Sequence, residues 1–133
     1  MNSCFADTFY FLALVFESDE AHERAHAAAR ALSGRIYTTP FVLTEVADAM
    51  AAPGRRERFL PLLRFLRTSP MVTITPFDHT VFERSVSLYD QRPDKAWSLT
   101  DCISFTVMQD YGLRDALTAD HHFEQAGFNI LLK

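Results

Sequence analysis

The sequence predicts an α/β domain in which a central parallel sheet lies between helices in three layers. Two observations carry that prediction. Short apolar runs alternate with longer helix-forming stretches, and strands that alternate with helices pair in parallel through right-handed crossovers. Acids also follow the ends of the first and fourth runs, at the carboxyl edge where open parallel sheets bind their ligands. At 133 residues the chain makes a single domain, residues 1–133, large enough for a real core and too short for a second. Its 48% apolar content and 12 phenylalanines, with few Gly and Pro, exclude disordered, collagen-like and disulfide-scaffold classes.

Cys4 to Asp7 reads as the first strand, and Phe9 to Phe16 continues as an apolar stretch that Asp7-Thr8 is placed to cap. Ser18-Asp19-Glu20 supplies a helix start for Ala21 to Leu32, and Ser33-Gly34 ends it. Arg35 to Thr38 is the second strand. Pro40 at a first helical position opens Phe41 to Ala52, and Pro53-Gly54 closes it. Arg56 to Arg67 is expected as one amphipathic helix with Phe59, Leu60, Leu63 and Leu66 on its apolar side. Met71 to Thr75 is the third strand, Pro76 to Tyr89 the helix after it, and Arg92 to Ala96 a polar loop. Leu99 to Tyr111 is a helix that is apolar nearly all round, as a fully buried helix is, and Gly112 stops it. Ala116 to Thr118, His121 to Ala126 and Phe128 to Leu131 then read as strand, short helix and strand.

Four carboxylates, Asp7, Glu45, Asp101 and Asp120, fall where this architecture would aim them at one point. Each has an ordinary reading: Asp7 and Asp120 as helix caps, Asp101 in the capping-box pattern begun by Ser98, Glu45 as a surface helix residue. Together they resist it. Glu45 shares a helix face with Phe41, Val42 and Ala49, and Asp101 sits beside Phe105 and Met108. No Lys or Arg stands three or four residues from either, and an unpaired buried carboxylate costs several kcal/mol. A shared divalent cation would remove that cost. Without a Cys/His cluster, the ligands are hard oxygens, which suit Mg²⁺ or Mn²⁺.

Trp97-Ser98-Leu99-Thr100-Asp101-Cys102 and Ala116-Leu117-Thr118-Ala119-Asp120-His121-His122-Phe123, followed by Gly127-Phe128, resemble the C-terminal signature of the PIN-domain family, including VapC-type toxins of toxin–antitoxin pairs. Phe5-Ala6-Asp7-Thr8 is similar to its first strand and Thr44-Glu45-Val46 to its second acid. The resemblance spans the chain in order and spacing. It implies a PIN-like α/β/α domain in which Asp7, Glu45, Asp101 and Asp120 hold one or two Mg²⁺ or Mn²⁺ ions, with Thr8, Ser98 or Thr100 in support. The implied activity is a metal-dependent ribonuclease that hydrolyses RNA through a metal-activated water and leaves a 5′-phosphate and a 3′-hydroxyl. It also implies a homodimer and an antitoxin partner. After the third acid the chain reads Cys102-Ile103-Ser104-Phe105 where many members are Ala-rich, which sets it in a side branch.

Other features are weighed against this reading. His22-Glu23-Arg24-Ala25-His26 fits the zincin spacing, yet no third ligand is evident and a solvated helix face is expected. His121 and His122 are expected to orient or pack the loop, and Trp97 to be core. The arginines between Arg55 and Arg67 form a solvated face by default; Arg55 and Arg58 are the candidates for contact with RNA phosphates. Cys4 and Cys102 read as buried thiols of a reducing, cytoplasmic compartment. No secretory signal or membrane-length run is seen. The alternative function is a PIN-like module that binds RNA or protein without cutting, against which the complete acidic set argues. A phosphotransfer enzyme with Asp7 as acceptor would need a second Asp two residues on, where Phe9 stands. The Gly-x-Gly-x-x-Gly of a nucleotide-binding Rossmann domain does not occur.

Overall fold

The computed structural model describes residues 3–76 and 78–133. Met1, Asn2 and Phe77, the last inside the helix expected from Pro76, lie outside the described residues. Five parallel strands, β1 (Cys4–Ala6), β2 (Ile36–Thr38), β3 (Val72–Ile74), β4 (Asp115–Leu117) and β5 (Asn129–Ile130), form one sheet in the order β3-β2-β1-β4-β5. In register, Cys4 faces both Ile36 and Asp115, and Ile36 faces Val72. The chain first walks outward from β1 to β3, then returns past β1 to β4. The order therefore reverses between β1 and β4, and a crevice forms at the carboxyl ends of the strands on either side of a reversal.

Helices α1 (Thr8–Val15), α2 (His22–Ala31), α3 (Pro40–Ala49) and α4 (Phe59–Thr68) accompany the outward walk, and α5 (His79–Gln91), α6 (Leu99–Asp110) and α7 (His121–Gln125) the return. Right-handed connections put the two groups on opposite faces of the sheet, giving three layers. The core runs through the sheet: Phe5 of β1, Phe11 of α1 and Phe123 of α7 are fully buried, each worth roughly 2 kcal/mol of apolar burial. Phe105 of α6 joins them, stacked edge-on against Phe123 and Trp97. Seven consecutive α6 residues, Cys102 to Met108, are buried, which is why that helix is apolar around most of its circumference. Cys4 and Cys102 are free, buried thiols, and burial pushes Cys4 up to about 12, leaving it inert. Among the described residues no helix is long and apolar enough to cross a membrane.

Three segments depart from the sequence reading, the first being α3, which ends at Ala49 rather than Ala52. The expected helix from Arg56 is a 3₁₀ turn at Arg56–Arg58 followed by α4, whose inward face is Leu62 and Leu66 with Phe59 and Leu63 beside them. Leu60 is 61% exposed. The i, i+3, i+4, i+7 rule counted from Phe59 selects Leu62 and excludes Leu60. The helix expected from Pro76 starts at His79, because the Asp78 carboxylate accepts from the amides of Thr80 and Val81 and fixes the cap there.

Candidate active site

Each of the four acids reaches the carboxyl edge of the sheet on a different element. Asp7 follows β1 and stands at the cap position of α1, yet its side chain makes no capping bond into that helix. It accepts instead from the Thr118 hydroxyl at the end of β4, at 3.0 Å, and so bridges the crevice between β1 and β4. Glu45 lies in the second turn of α3, where the Thr8 hydroxyl donates to its Oε1 at 2.6 Å. Asp101 completes a capping box with Ser98 at the start of α6. Asp120 caps α7 by accepting from the His122 amide at 2.9 Å, and its own amide donates to Thr118 Oγ1 at 3.1 Å. The ordinary cap readings of Asp101 and Asp120 thus hold as local geometry while both carboxylates also lie within reach of the His122 ring.

Thr118 is the residue that ties the site together. Fully buried, its hydroxyl accepts from Asp120 and donates to Asp7, fixing two acids from opposite sides of the strand reversal with one oxygen. His122 plays the corresponding part for the other pair. Its Nδ1 lies 3.1 Å from Asp101 Oδ2 and 3.4 Å from Asp120 Oδ1. Thr118 stands in the C-terminal motif without a role of its own in the sequence, where it looks like any β-branched strand residue, and His122 is expected there to orient or pack the loop. Of the expected supporting residues, Thr8 and Ser98 contact an acid; among the described residues Thr100 makes no side-chain hydrogen bond.

The electrostatics are those of a site short of positive charge. Asp7 is 7% exposed. Burial drives its pKa from 3.8 up to about 7, opposed by the neighbouring Thr8 backbone amide and by the Thr118 hydroxyl, and the charges of Asp101 and Glu45 push it further up. Among the described residues, Lys and Arg pair with Asp110, Asp94 and Glu124 but with none of the four acids. The four are not one tight cluster. Among the described residues, the set of three donors whose ligand atoms all lie within 4.8 Å of one another is Asp120, His121 and His122. Asp7 couples to Glu45 and Asp101, and Asp101 reaches Asp120 through His122. Hard oxygens without cationic partners, one so destabilised that it holds its proton to about pH 7, are a donor set that fits a divalent cation.

The remaining candidates lie elsewhere. Arg55 stacks on the Phe16 ring at 4.3 Å and Arg58 at 5.3 Å, and Arg58 also donates to the Val15 carbonyl at 3.1 Å. That is the far end of α1, about 12 Å of helix away from Asp7. His22 and His26 are not a solvated face. They are half-buried, and donate to the carbonyls of Ala13 at 2.8 Å and Leu14 at 3.1 Å. A carbonyl only accepts, so each of these ring nitrogens carries its proton. Trp97 is core, its indole donating to Gln125 Oε1.

A parallel α/β domain with acids gathered at its strand reversal defines the class of the protein, and its family follows from comparison. The sequence profile of the PIN domain matches residues 4–129, and the chain belongs to the PIN-domain family. No curated protein sequence shows significant similarity to it. Among solved structures the chain resembles VapC20 of Mycobacterium tuberculosis, described as a sarcin–ricin loop cleaving toxin, with a TM-score of 0.85, 23% identity, and 94% of this chain and 95% of that one covered. FitAcB from Neisseria gonorrhoeae superposes with a TM-score of 0.68 at 19% identity over 98% and 96% of the two chains. DNA-bound VapBC from Salmonella typhimurium does so at 0.64 and 15% identity, over 98% and 97%. At these identities the likeness is one of fold.

Proposed function

We propose that the protein is a metal-dependent endoribonuclease of the PIN type, the toxin of a toxin–antitoxin pair. The observation that carries this reading is the Asp7 environment: a buried carboxylate at a strand reversal, beside two further acids, with no Lys or Arg among the described residues paired to it. Asp7, Glu45, Asp101 and Asp120 would hold Mg²⁺ or Mn²⁺, which when bound polarises the scissile phosphate and acidifies a water. The chain's own part is preorganisation. Thr118 holds Asp7 and the Asp120 backbone, Thr8 holds Glu45, and the Ser98 capping box holds Asp101, so each acid is fixed in place before substrate arrives. Recruiting a cation costs Asp7 its proton, so metal affinity rises through pH 7.

The description of VapC20 makes structured ribosomal RNA the first substrate to test. For partners, an apolar groove of about 310 Å³ between α3 and α4, lined by Leu43, Ala47, Phe59, Leu63 and Ile74, supports a protein contact on that face. Leu60 and Phe65 stand outward on α4, 61% and 62% exposed, a further sign of a homodimer or a bound antitoxin in the cytoplasm. Purified protein should cleave RNA with Mg²⁺ or Mn²⁺, stop with EDTA, and leave 5′-phosphate ends. Cleavage that survives EDTA or leaves 2′,3′-cyclic phosphates overturns the mechanism; tight RNA binding without cleavage favours the non-cutting module.

A further inference from the structure

The loop between α5 and α6, Arg92 to Ser98, borders the acids without supplying one. Arg84 pairs with Asp110 and Ser85 donates to Thr106, so the two helices run antiparallel and the end of α5 stands beside the start of α6, where Asp101 is capped. Trp97 ties this loop to both acid-bearing helices. The next residue, Ser98, donates its amide to Asp101 Oδ2 at 3.1 Å, and the Trp97 indole donates to Gln125 at the end of the helix that Asp120 caps. Against Trp97 lies an open cavity of about 440 Å³, in the size range of small-ligand sites, whose walls include Tyr89, Asp90, Arg92 and Lys95.

These side chains differ in what they have left to offer. Arg92 is engaged: its guanidinium is bidentate to Asp94 at 2.9 Å and lies 5.2 Å over the Trp97 ring. Lys95 acts on Asp94 only from beyond ion-pair distance, whereas Lys133 pairs directly with Glu124. Among the described residues Asp90 forms no ion pair and no ring packs on Tyr89, which is 53% exposed. Once the Arg92–Asp94 pair cancels, the cavity presents one cation, one carboxylate and one open ring face. We propose that it holds a nucleotide of the RNA flanking the scissile phosphate, with its phosphate on Lys95, its base stacked on Tyr89 and an exocyclic amino group of that base donating to Asp90. The inference deepens the ribonuclease reading above and rests on it. Unstacked RNA bases are read in this way, on aromatic faces and by hydrogen bonds at their edges. A carboxylate accepts from the amino group of cytosine and is repelled by the carbonyl that uracil carries there, so the cavity selects cytosine over uracil.

Trp97 is the single tryptophan of the chain, and its fluorescence therefore reports on this cavity. The full chain carrying Asp101→Asn, which prevents cleavage, is titrated in Mg²⁺ with end-labelled decacytidylate and decauridylate, and binding is followed by Trp97 emission and by anisotropy of the label. Decacytidylate should change the emission saturably and bind at least about fivefold tighter than decauridylate. Tyr89→Ala should weaken both about tenfold, within the cost of one lost base stack. Asp90→Ala should erase the preference, and Lys95→Gln should lower the slope of log affinity against log salt by about 0.7, one single-strand phosphate contact. Circular dichroism establishes that the variants are folded, and the wild-type preference and emission change stand independently of them. Equal affinity for the two oligonucleotides overturns the subsite, as does RNA that binds by anisotropy while Trp97 emission stays constant and Tyr89→Ala and Lys95→Gln behave as wild type. Metal-dependent cleavage by the unaltered chain leaves the ribonuclease reading standing in either case; RNA neither bound nor cut overturns both.

Discussion

At its first residue α1 meets carboxylates; at its last it meets two histidines and an arginine. The N-terminal end, positive by the helix dipole, attracts Asp7, holds Glu45 through the Thr8 hydroxyl, and has Asp101 near enough to act on Asp7. The C-terminal end exposes carbonyls that nothing within the helix satisfies. Each of its last three is served by a side chain from outside: Ala13 by His22, Leu14 by His26, Val15 by Arg58. Both ends obey the dipole, yet only one is finished. At the C-terminal end the donors match the acceptors bond for bond, which is what stability asks. At the N-terminal end negative charge accumulates beyond what the helix, two hydroxyls and one imidazole offset, and that surplus is what the proposed cation would neutralise.

The largest effect is expected at Asp101. Asp101→Asn keeps an oxygen for the Ser98 amide, and so keeps the capping box, while removing one charge from the site. RNA cleavage should fall by a factor on the order of 10³, the scale for losing a direct electrostatic contributor. Thermal unfolding should be unchanged or slightly raised. If the variant unfolds and wild-type melting is indifferent to Mn²⁺, Asp101 is only a cap.

Asp7→Asn isolates the electrostatic debt itself. In metal-free protein the folded state keeps the Asp7 proton to about pH 7, the unfolded chain only to about pH 4. Between those values folding takes up a proton, so wild-type stability falls as pH rises through the window and stays low above it. The variant has no such loss. In EDTA it should exceed wild type by on the order of 2–4 kcal/mol at pH 8 and by nothing at pH 4, as read by urea unfolding at the two pH values. An equal gain at both would place the effect in packing rather than charge.

What was legible in the sequence follows the same division. The strands, the buried α6 and the positions of the acids could be read because each rests on local pattern: alternation of elements, apolar runs, an acid at a strand end. Leu60 was misassigned because the face of α4 depends on where the helix begins, and a 3₁₀ turn moved that start to Phe59. Thr118 and the C-terminal clasp were illegible for a different reason. Thr118 bonds Asp7 across 111 residues, and the partners of His22 and His26 are backbone carbonyls 9 and 12 residues away, which carry no residue identity to recognise. The His-Glu-x-x-His segment reads in sequence as a solvated helix face, for want of any sign that its nitrogens were spoken for.

At that clasp the expected effects are smaller and fall on stability alone. His22→Ala and His26→Ala each remove a donor from a half-buried carbonyl, at about 1 kcal/mol apiece. Their rings touch at 4.4 Å, so the double variant should depart from the sum of the singles. Urea unfolding measures all three. Metal content and cleavage rate should match wild type; one equivalent of zinc, lost in the double variant, would restore the motif to a metal site.

Arg58 gives the smallest effect and the sharpest test of whether the finished end of α1 also serves RNA. Its guanidinium donates to the Val15 carbonyl and lies over Phe16 in company with Arg55, so a protein partner already occupies the group that the sequence offered to phosphate. The Val15 bond is exposed, and Arg58→Ala should cost only about 0.5–1 kcal/mol of stability. RNA affinity measured at several salt concentrations separates the roles. A purely structural arginine leaves the slope of log affinity against log salt unchanged and affinity within about threefold. Loss of a phosphate contact lowers the slope by about 0.7 for a single strand and weakens binding at every sequence alike. We expect the first result, because the side chain is held about 12 Å of helix from the acids and its hydrogen bond aims it at the helix end rather than at the crevice. The second would extend the RNA path from the carboxylates along the whole of α1, and would make Arg55, stacked on the same ring, the next residue to remove.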